Sequence, residues 1–225
     1  MPRTARIVVP GCPHHITQKG NGGQDVFFCD DDRRYFLSLL ARYAGPWGLS
    51  IDAFCLMTNH VHLVATPAAQ ESLAEAMRRI SGIYAQYVNR TYARQGHLWQ
   101  DRFYSCALDD AHCWAALVYV EQNPVRANMI SQASRYEWSS AAAHCGHKAK
   151  AAFLDLRRWK KMAGPAEWKR ELSSITPDDA LASLRRHTGT GRPLGGPDFI
   201  TRIERSIKRR VHALVRGRPR GRKMR

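Results

Sequence analysis

A chain of 225 residues that is 44% hydrophobic and 24% charged has the composition of a soluble globular protein, long enough for one domain of roughly 150 residues plus an appendage. It carries 35 Lys and Arg against 19 Asp and Glu, a formal net charge of +16 and a pI of about 10.1, and this excess points to a polyanionic partner. No apolar run approaches the ~18 residues of a membrane span and the Met-Pro-Arg-Thr start has no secretory h-region, so a cytoplasmic, nucleoid-associated protein with no membrane partner is expected.

Cys12, Cys29, Cys55, Cys106, Cys113 and Cys145 are scattered without a C-x-x-C pair, which suits reduced thiols better than a disulfide framework or a zinc ribbon. The cluster His144-Cys145-Gly146-His147 is too tight for zinc spacing and reads as structural or exposed. The charge is uneven. Residues 202–225 hold eleven Lys and Arg against the single Glu204, so ten of the sixteen net charges sit in the last 24 residues. A basic tail on a moderately basic body suggests nucleic acid, because each neutralised phosphate releases counterions.

In chain order, the breakers Pro10-Gly11-Cys12-Pro13 precede a short strand, His14–Gln18, which Gly20-Asn21-Gly22-Gly23 ends. Asp30-Asp31-Asp32 opens a helix whose Tyr35, Phe36, Leu39, Leu40 and Tyr43 recur at helical spacing up to Gly45-Pro46. Ile51–Met57 and His60–Ala65 read as two strands around a tight Thr58-Asn59 turn. Strand side chains alternate, so His60 and His62 share one surface while Val61 and Leu63 face the other. Two neighbouring imidazoles make half of a metal site; the competing reading is two polar residues on the wetter face of a sheet.

Glu71–Tyr92 is the longest helical pattern, with Leu73, Met77, Ile80, Tyr84, Tyr87 and Val88 toward a core and Arg78, Arg79 and Arg90 offered to solvent or phosphate. The stretch from Gly96 into a strand at Phe103–Leu108 is dense in rings and cations, an interleaving that single strands exploit. Trp99 and Phe103 read equally well as core. Asp109 or Asp110 caps a helix from Ala111 to about Gln122, which Pro124 ends. Tyr119 and Asn123, four apart, lie on one face of it if Asn123 keeps helical geometry. Helical fragments follow over residues 150–187, then a Pro/Gly-rich linker (Gly189–Asp198), a basic helix (Phe199–Leu214) and the tail Arg216–Lys223.

The ordered motifs MTNHVHL (Met57–Leu63), GHLWQDRF (Gly96–Phe103), YVEQNPVRA (Tyr119–Ala127) and YEWSS (Tyr136–Ser140) resemble the single-tyrosine HUH transposases, in particular the REP-associated tyrosine transposases. The likeness is strong over residues 3–145 and loose beyond. It implies an α+β fold: an antiparallel four- to five-stranded sheet with helices packed on one face, plus a helical basic C-terminal extension. The domain division it suggests is 1–145 for the transposase domain, 146–215 for the helical extension and 216–225 for an AT-hook-like tail.

By the same resemblance Tyr119 is the nucleophile, His60, His62 and Asn123 are metal ligands, and the cofactor is a divalent metal, Mg²⁺ or Mn²⁺. Thr58 stands where relatives usually carry proline, and some relatives place glutamine at the Asn123 position. The implied substrate is single-stranded DNA folded into a REP-like palindromic hairpin, cleaved and rejoined through a 5′-phosphotyrosine. Arg78, Arg79, Arg90 and Arg102 are candidate phosphate contacts. Arg216, Arg218, Arg220 and Arg222 of the tail would lie along a minor groove. A monomer is expected, with a dimer as the alternative. Two rivals are a non-catalytic hairpin-binding regulator of the same fold and a metal-dependent phosphodiesterase that activates water.

Overall fold

The computed structural model describes residues 6–147, 151–174 and 178–211. Its centre is a four-stranded antiparallel sheet in the order β2-β3-β1-β4, formed by β1 (His14–Lys19), β2 (Leu49–Leu56), β3 (His60–Pro67) and β4 (Tyr104–Ala107). Register places Thr17 of β1 opposite both His62 and Tyr104, and His15 opposite both Val64 and Cys106. Paired residues share a face, so His15, Thr17, His62, Tyr104 and Cys106 line one surface, while Ile16, Gln18, Val61 and Leu63 line the other.

The second surface is covered by α1 (Asp30–Tyr43) and α2 (Ser72–Thr91), the latter reaching Gln18 Oε1 through Ser81 Oγ at 2.5 Å. Asp32 anchors the start of α1: its carboxylate accepts from the backbone N–H groups of Phe28 and Cys29 and from the hydroxyls of Tyr87 and Tyr92. Phe36 and Tyr84 are fully buried here, each worth roughly 1.5–3 kcal/mol of apolar burial. The expectation of helices on one face must be extended, because α3 (Asp110–Arg126) covers the histidine surface. Largely apolar histidine-face neighbours such as Val64 and Cys106 are inaccessible to water and need that cover.

Asp109 caps α3 by accepting the His112 N–H at 2.9 Å. Pro124 does not end this helix, contrary to the sequence reading; α3 runs on to Arg126. The ring denies Val120 its usual i+4 donor, and the Asn123 side-chain amide supplies a replacement at 3.4 Å while also donating to Tyr119 O at 3.0 Å. The helix is buried nearly all round because α6 (Pro165–Ser173) packs on it and α7 (Asp178–Thr190) lies beside it on the same face of the sheet, over β4 and β1.

α4 (Ala141–His144) and α5 (Arg157–Met162) complete the path from α3 to this C-terminal layer. Glu121, fully buried, ties the layer together. Its carboxylate accepts from Ser140 Oγ, from His144 Nδ1 at 2.6 Å and from Trp168 Nε1 at 2.8 Å. His144 is therefore structural, and Trp159, Trp168, Leu172, Leu181 and Leu184 join the same core as the sheet. Trp99 sits against that core with its N–H on Ser81 O, and Phe103 is buried in it.

The stretch expected to be a linker is not free. Its first residues finish α7, and Leu194 pairs with Leu108, donating to Ala107 O at 2.8 Å. The last described helix, α8 (Pro197–Ile207), is shorter than the expected Phe199–Leu214, whose end lies outside the described residues. The outer edge of β2 is covered too, by Leu56 N–H to Trp138 O, Ser140 N–H to Phe54 O and Asp155 N–H to Ile51 O. Among the described residues no helix is long and apolar enough to cross a membrane.

Candidate active site

The β2–β3 turn presents the first imidazole. Met57 N–H closes it on His60 O at 2.9 Å, and the loop after β1 braces it: Gly20 N–H donates to Asn59 O, and Asn59 Nδ2 to Gly23 O. Gly20 is required there, since a Cβ would lie 2.1 Å from Gln24 O. Asn59 Oδ1 in turn engages His60 Nδ1 at 2.6 Å. On the same strand His62 Nδ1 meets His15 Nε2 at 3.0 Å, and the two rings stack at 5.2 Å. Both Nδ1 atoms are thus occupied, and neither Nε2 has a hydrogen-bond partner among the described residues.

His15 continues the chain of contacts, its Nδ1 lying 2.7 Å from Thr188 Oγ1 on α7. Thr188 also gives its hydroxyl proton to Leu184 O at 2.8 Å. With that proton so placed, Thr188 accepts from His15 Nδ1–H, His15 Nε2 accepts from His62 Nδ1–H, and the lone pair of His62 is left on Nε2. Burial keeps these rings neutral. It lowers His15 to about 3 and, with the Lys19 charge, His60 to about 4. His62 is held well below the usual imidazole value by burial, then by His15, His60, Arg126 and Lys19.

Tyr119 projects from α3 onto this pair, its ring 5.4 Å from His62 and 5.5 Å from His15, edge-on to each. Two guanidinium groups attend it. Arg126 lies 4.4 Å over the ring and donates to Tyr119 O at 2.8 Å, while Arg185 Nε donates to the phenol oxygen at 3.3 Å. Two cations beside a phenol stabilise negative charge on its oxygen and on any phosphate brought to it.

Of the residues singled out in sequence, His60, His62 and Tyr119 are therefore brought together. Asn123 stands one turn beyond Tyr119 as expected, but its amide nitrogen is turned back onto its own helix; Oδ1 has no partner among the described residues. Thr17, opposite His62, has a buried hydroxyl with no partner among the described residues. Among the described residues no group of three or more His, Cys, Asp and Glu forms a cation site. Two neutral imidazoles with free Nε2 atoms, an amide oxygen one helical turn beyond Tyr119 and an orphaned hydroxyl nevertheless suit a weakly held divalent ion.

Arg78, Arg79 and Arg90 do not join this site, because α2 covers the opposite face of the sheet. Arg78 pairs with Glu75 at 2.6 Å, Arg79 stacks over Trp47, and Arg90 is exposed at the end of α2. Arg102 is exposed just before β4. Arg216, Arg218, Arg220 and Arg222 lie outside the described residues. The sequence reading missed His15, Arg126, Arg185 and Thr188. Arg126 was within reach of it, being seven residues after Tyr119 and so on the same helical face.

Residues 11–123 match the family described as transposase IS200 like. A solved REP-associated tyrosine transposase, bound to a REP hairpin, is similar over 64% of this chain and 85% of its own, at 16% identity and a TM-score of 0.52. A transposase structure from Deinococcus radiodurans R1 overlaps 53% of this chain and 96% of its own, at 18% identity and a TM-score of 0.39. No curated protein matches. Since the family match spans half of the sequence, the chain belongs to the IS200-like transposases.

Proposed function

We propose that this chain cleaves and rejoins single-stranded DNA at the foot of REP-like palindromic hairpins, with Tyr119 as nucleophile. The observation that carries the reading is the meeting of the Tyr119 ring with His62 at 5.4 Å, with Arg185 on the phenol oxygen. The phenol loses its proton to solvent and its oxygen attacks phosphorus. The new O–P bond forms as the bond to the 3′ oxygen breaks, and that oxygen takes up a proton as the free 3′-OH. The product is a 5′-phosphotyrosine, which keeps the phosphodiester linkage and is reversed by another 3′-OH without a nucleotide cofactor.

His60 and His62 through Nε2, with Asn123 through Oδ1, would hold Mg²⁺ or Mn²⁺. Such an ion supplies a Lewis acid that polarises the phosphate and offsets charge in the transition state. The chain's own part is orientation: His15 and Asn59 fix the two imidazole rings, and Arg126 and Arg185 bring positive charge to the phenol. The relative solved on a REP hairpin supports the hairpin as substrate. We place the nucleophile and the metal ligands in residues 1–145, with 146–215 bracing them and adding Arg185, and 216–225 gripping DNA. A monomer fits the covering of the β2 edge.

The test is a denaturing gel after incubation of labelled hairpin DNA with protein and Mn²⁺. A covalent protein–DNA band supports the reading. Free cleaved DNA without such a band supports a water-activating phosphodiesterase, and uncut DNA a binding protein without chemistry.

A further inference from the structure

A cavity of about 420 Å³ opens along the outer edge of β4, between the N-terminal segment and the end of α7. Arg6, Arg102, Arg192, Arg209 and Arg210 line it, with Asp101 the one acidic residue of its described wall. Arg6 stacks 3.7 Å over Phe103 and is brought down to about 10, first by burial and then by Arg102, so two guanidinium groups stand close without full neutralisation. The side chains of Arg102, Arg192 and Arg210 have no ion-pair partner among the described residues. Ser105, 3% exposed, belongs to the same wall, and its buried hydroxyl has no partner among the described residues.

We propose that this cavity binds the sugar-phosphate backbone of single-stranded DNA leading to Tyr119. The inference rests on the proposed function for its substrate, and it adds a site. Four of the five arginines, all but Arg102, lie outside residues 11–123, so most of the site's positive charge comes from outside the matched family region, against a β4 wall that lies within it. Its size admits one strand's phosphate and sugar but not two paired strands. Tyr104, 37% exposed at the rim, offers a ring on which a base stacks. The inner wall includes Thr188, whose hydroxyl contacts His15 and through it His62. A phosphate seated here is therefore separated from His62 by two side chains in contact, Thr188 and His15.

The experiment measures binding of fluorescent oligo-dT of about a dozen nucleotides, and of a duplex of equal length, across a salt series. The full chain is compared with Arg192→Gln/Arg210→Gln and with Tyr104→Ala. The double variant is expected to weaken oligo-dT binding about tenfold and to lower the magnitude of the log–log salt slope by about 1.4, two phosphates' worth for a single strand. Tyr104→Ala is expected to lose about tenfold with the slope unchanged. A 4-thiothymidine crosslink should map to residues 102–104 or 188–192.

Unchanged oligo-dT binding, an equal loss on the duplex, or crosslinks confined to other segments would overturn the proposal. The covalent band of the gel assay is read separately. Its absence with these binding losses intact removes the nucleophile and leaves the site; its presence with binding unchanged removes the site alone.

Discussion

Thr188→Val tests the hydrogen-bond chain behind the imidazole pair. The change conserves size but removes the oxygen that lies 2.7 Å from His15 Nδ1. A buried N–H left without an acceptor costs about 1–3 kcal/mol. His15 avoids that cost only by moving its proton to Nε2, which then faces His62 Nδ1 and drives the His62 proton onto its own Nε2, where it occupies the lone pair a cation needs. Either route disfavours the ligating tautomer by the same 1–3 kcal/mol, or roughly 5- to 150-fold in Mn²⁺ affinity. Mn²⁺ binding by metal-free protein, followed by electron paramagnetic resonance at neutral pH, reads the affinity. Imidazole ¹⁵N shifts report which His62 nitrogen carries the proton. Thr188→Ser, which keeps the hydroxyl, should restore both. Wild-type Mn²⁺ affinity in Thr188→Val, with the His62 proton still on Nδ1, would refute the reasoning.

Arg185→Gln removes the cation on the Tyr119 oxygen; single-turnover cleavage should slow by about 10²-fold, in the range of a lost charge-stabilising donor, with hairpin affinity changed only a few-fold. Equal rates would show that Arg185 is not used. Glu121→Ala strips the acceptor from Ser140, His144 and Trp168 in a fully buried site. It should cost roughly 3–5 kcal/mol in urea unfolding, and a loss below about 1 kcal/mol would show the network to be dispensable.

His14 predicts acid sensitivity. Its Nε2 accepts Val9 N–H and its Nδ1 faces Cys12 O, and burial lowers it to about 4. Between about pH 6.5 and 4 the unfolded chain binds a proton that the folded one does not, so stability falls as pH falls, by up to about 1.4 kcal/mol per pH unit from this group. His14→Gln should flatten the dependence of unfolding free energy on pH by about one proton over that window; an unchanged slope would assign the loss elsewhere.

The sheet and its helices were legible in sequence because their signals are local. The His-x-His alternation, the Thr58-Asn59 turn, the Asp30-Asp31-Asp32 start of α1 and the apolar spacing of α2 each act within a few residues. Pro124 misled because its cost is met by a side chain, the Asn123 amide, whose rescue of Val120 O no pattern announces. The stretch Gly189–Asp198 misled for a related reason. Its composition fits a free linker, but Leu194 finds a strand end to pair with. The site was half legible: His60, His62 and Tyr119 carry motifs, whereas Thr188 and Arg185 reach their partners across separations of 173 and 66 residues. His15 was visible as a strand residue, but only the β1–β3 register reveals that it backs His62.

The central claim is that the Tyr119 oxygen becomes bonded to DNA beside the paired imidazoles. Protein incubated with hairpin DNA and Mn²⁺, digested by nuclease and protease, can be sequenced by mass spectrometry for the modified peptide. The account predicts a nucleotide-bearing phosphate on Tyr119, absent from Tyr119→Phe, which still binds the hairpin. An adduct on another residue, or one that persists in Tyr119→Phe, would contradict it.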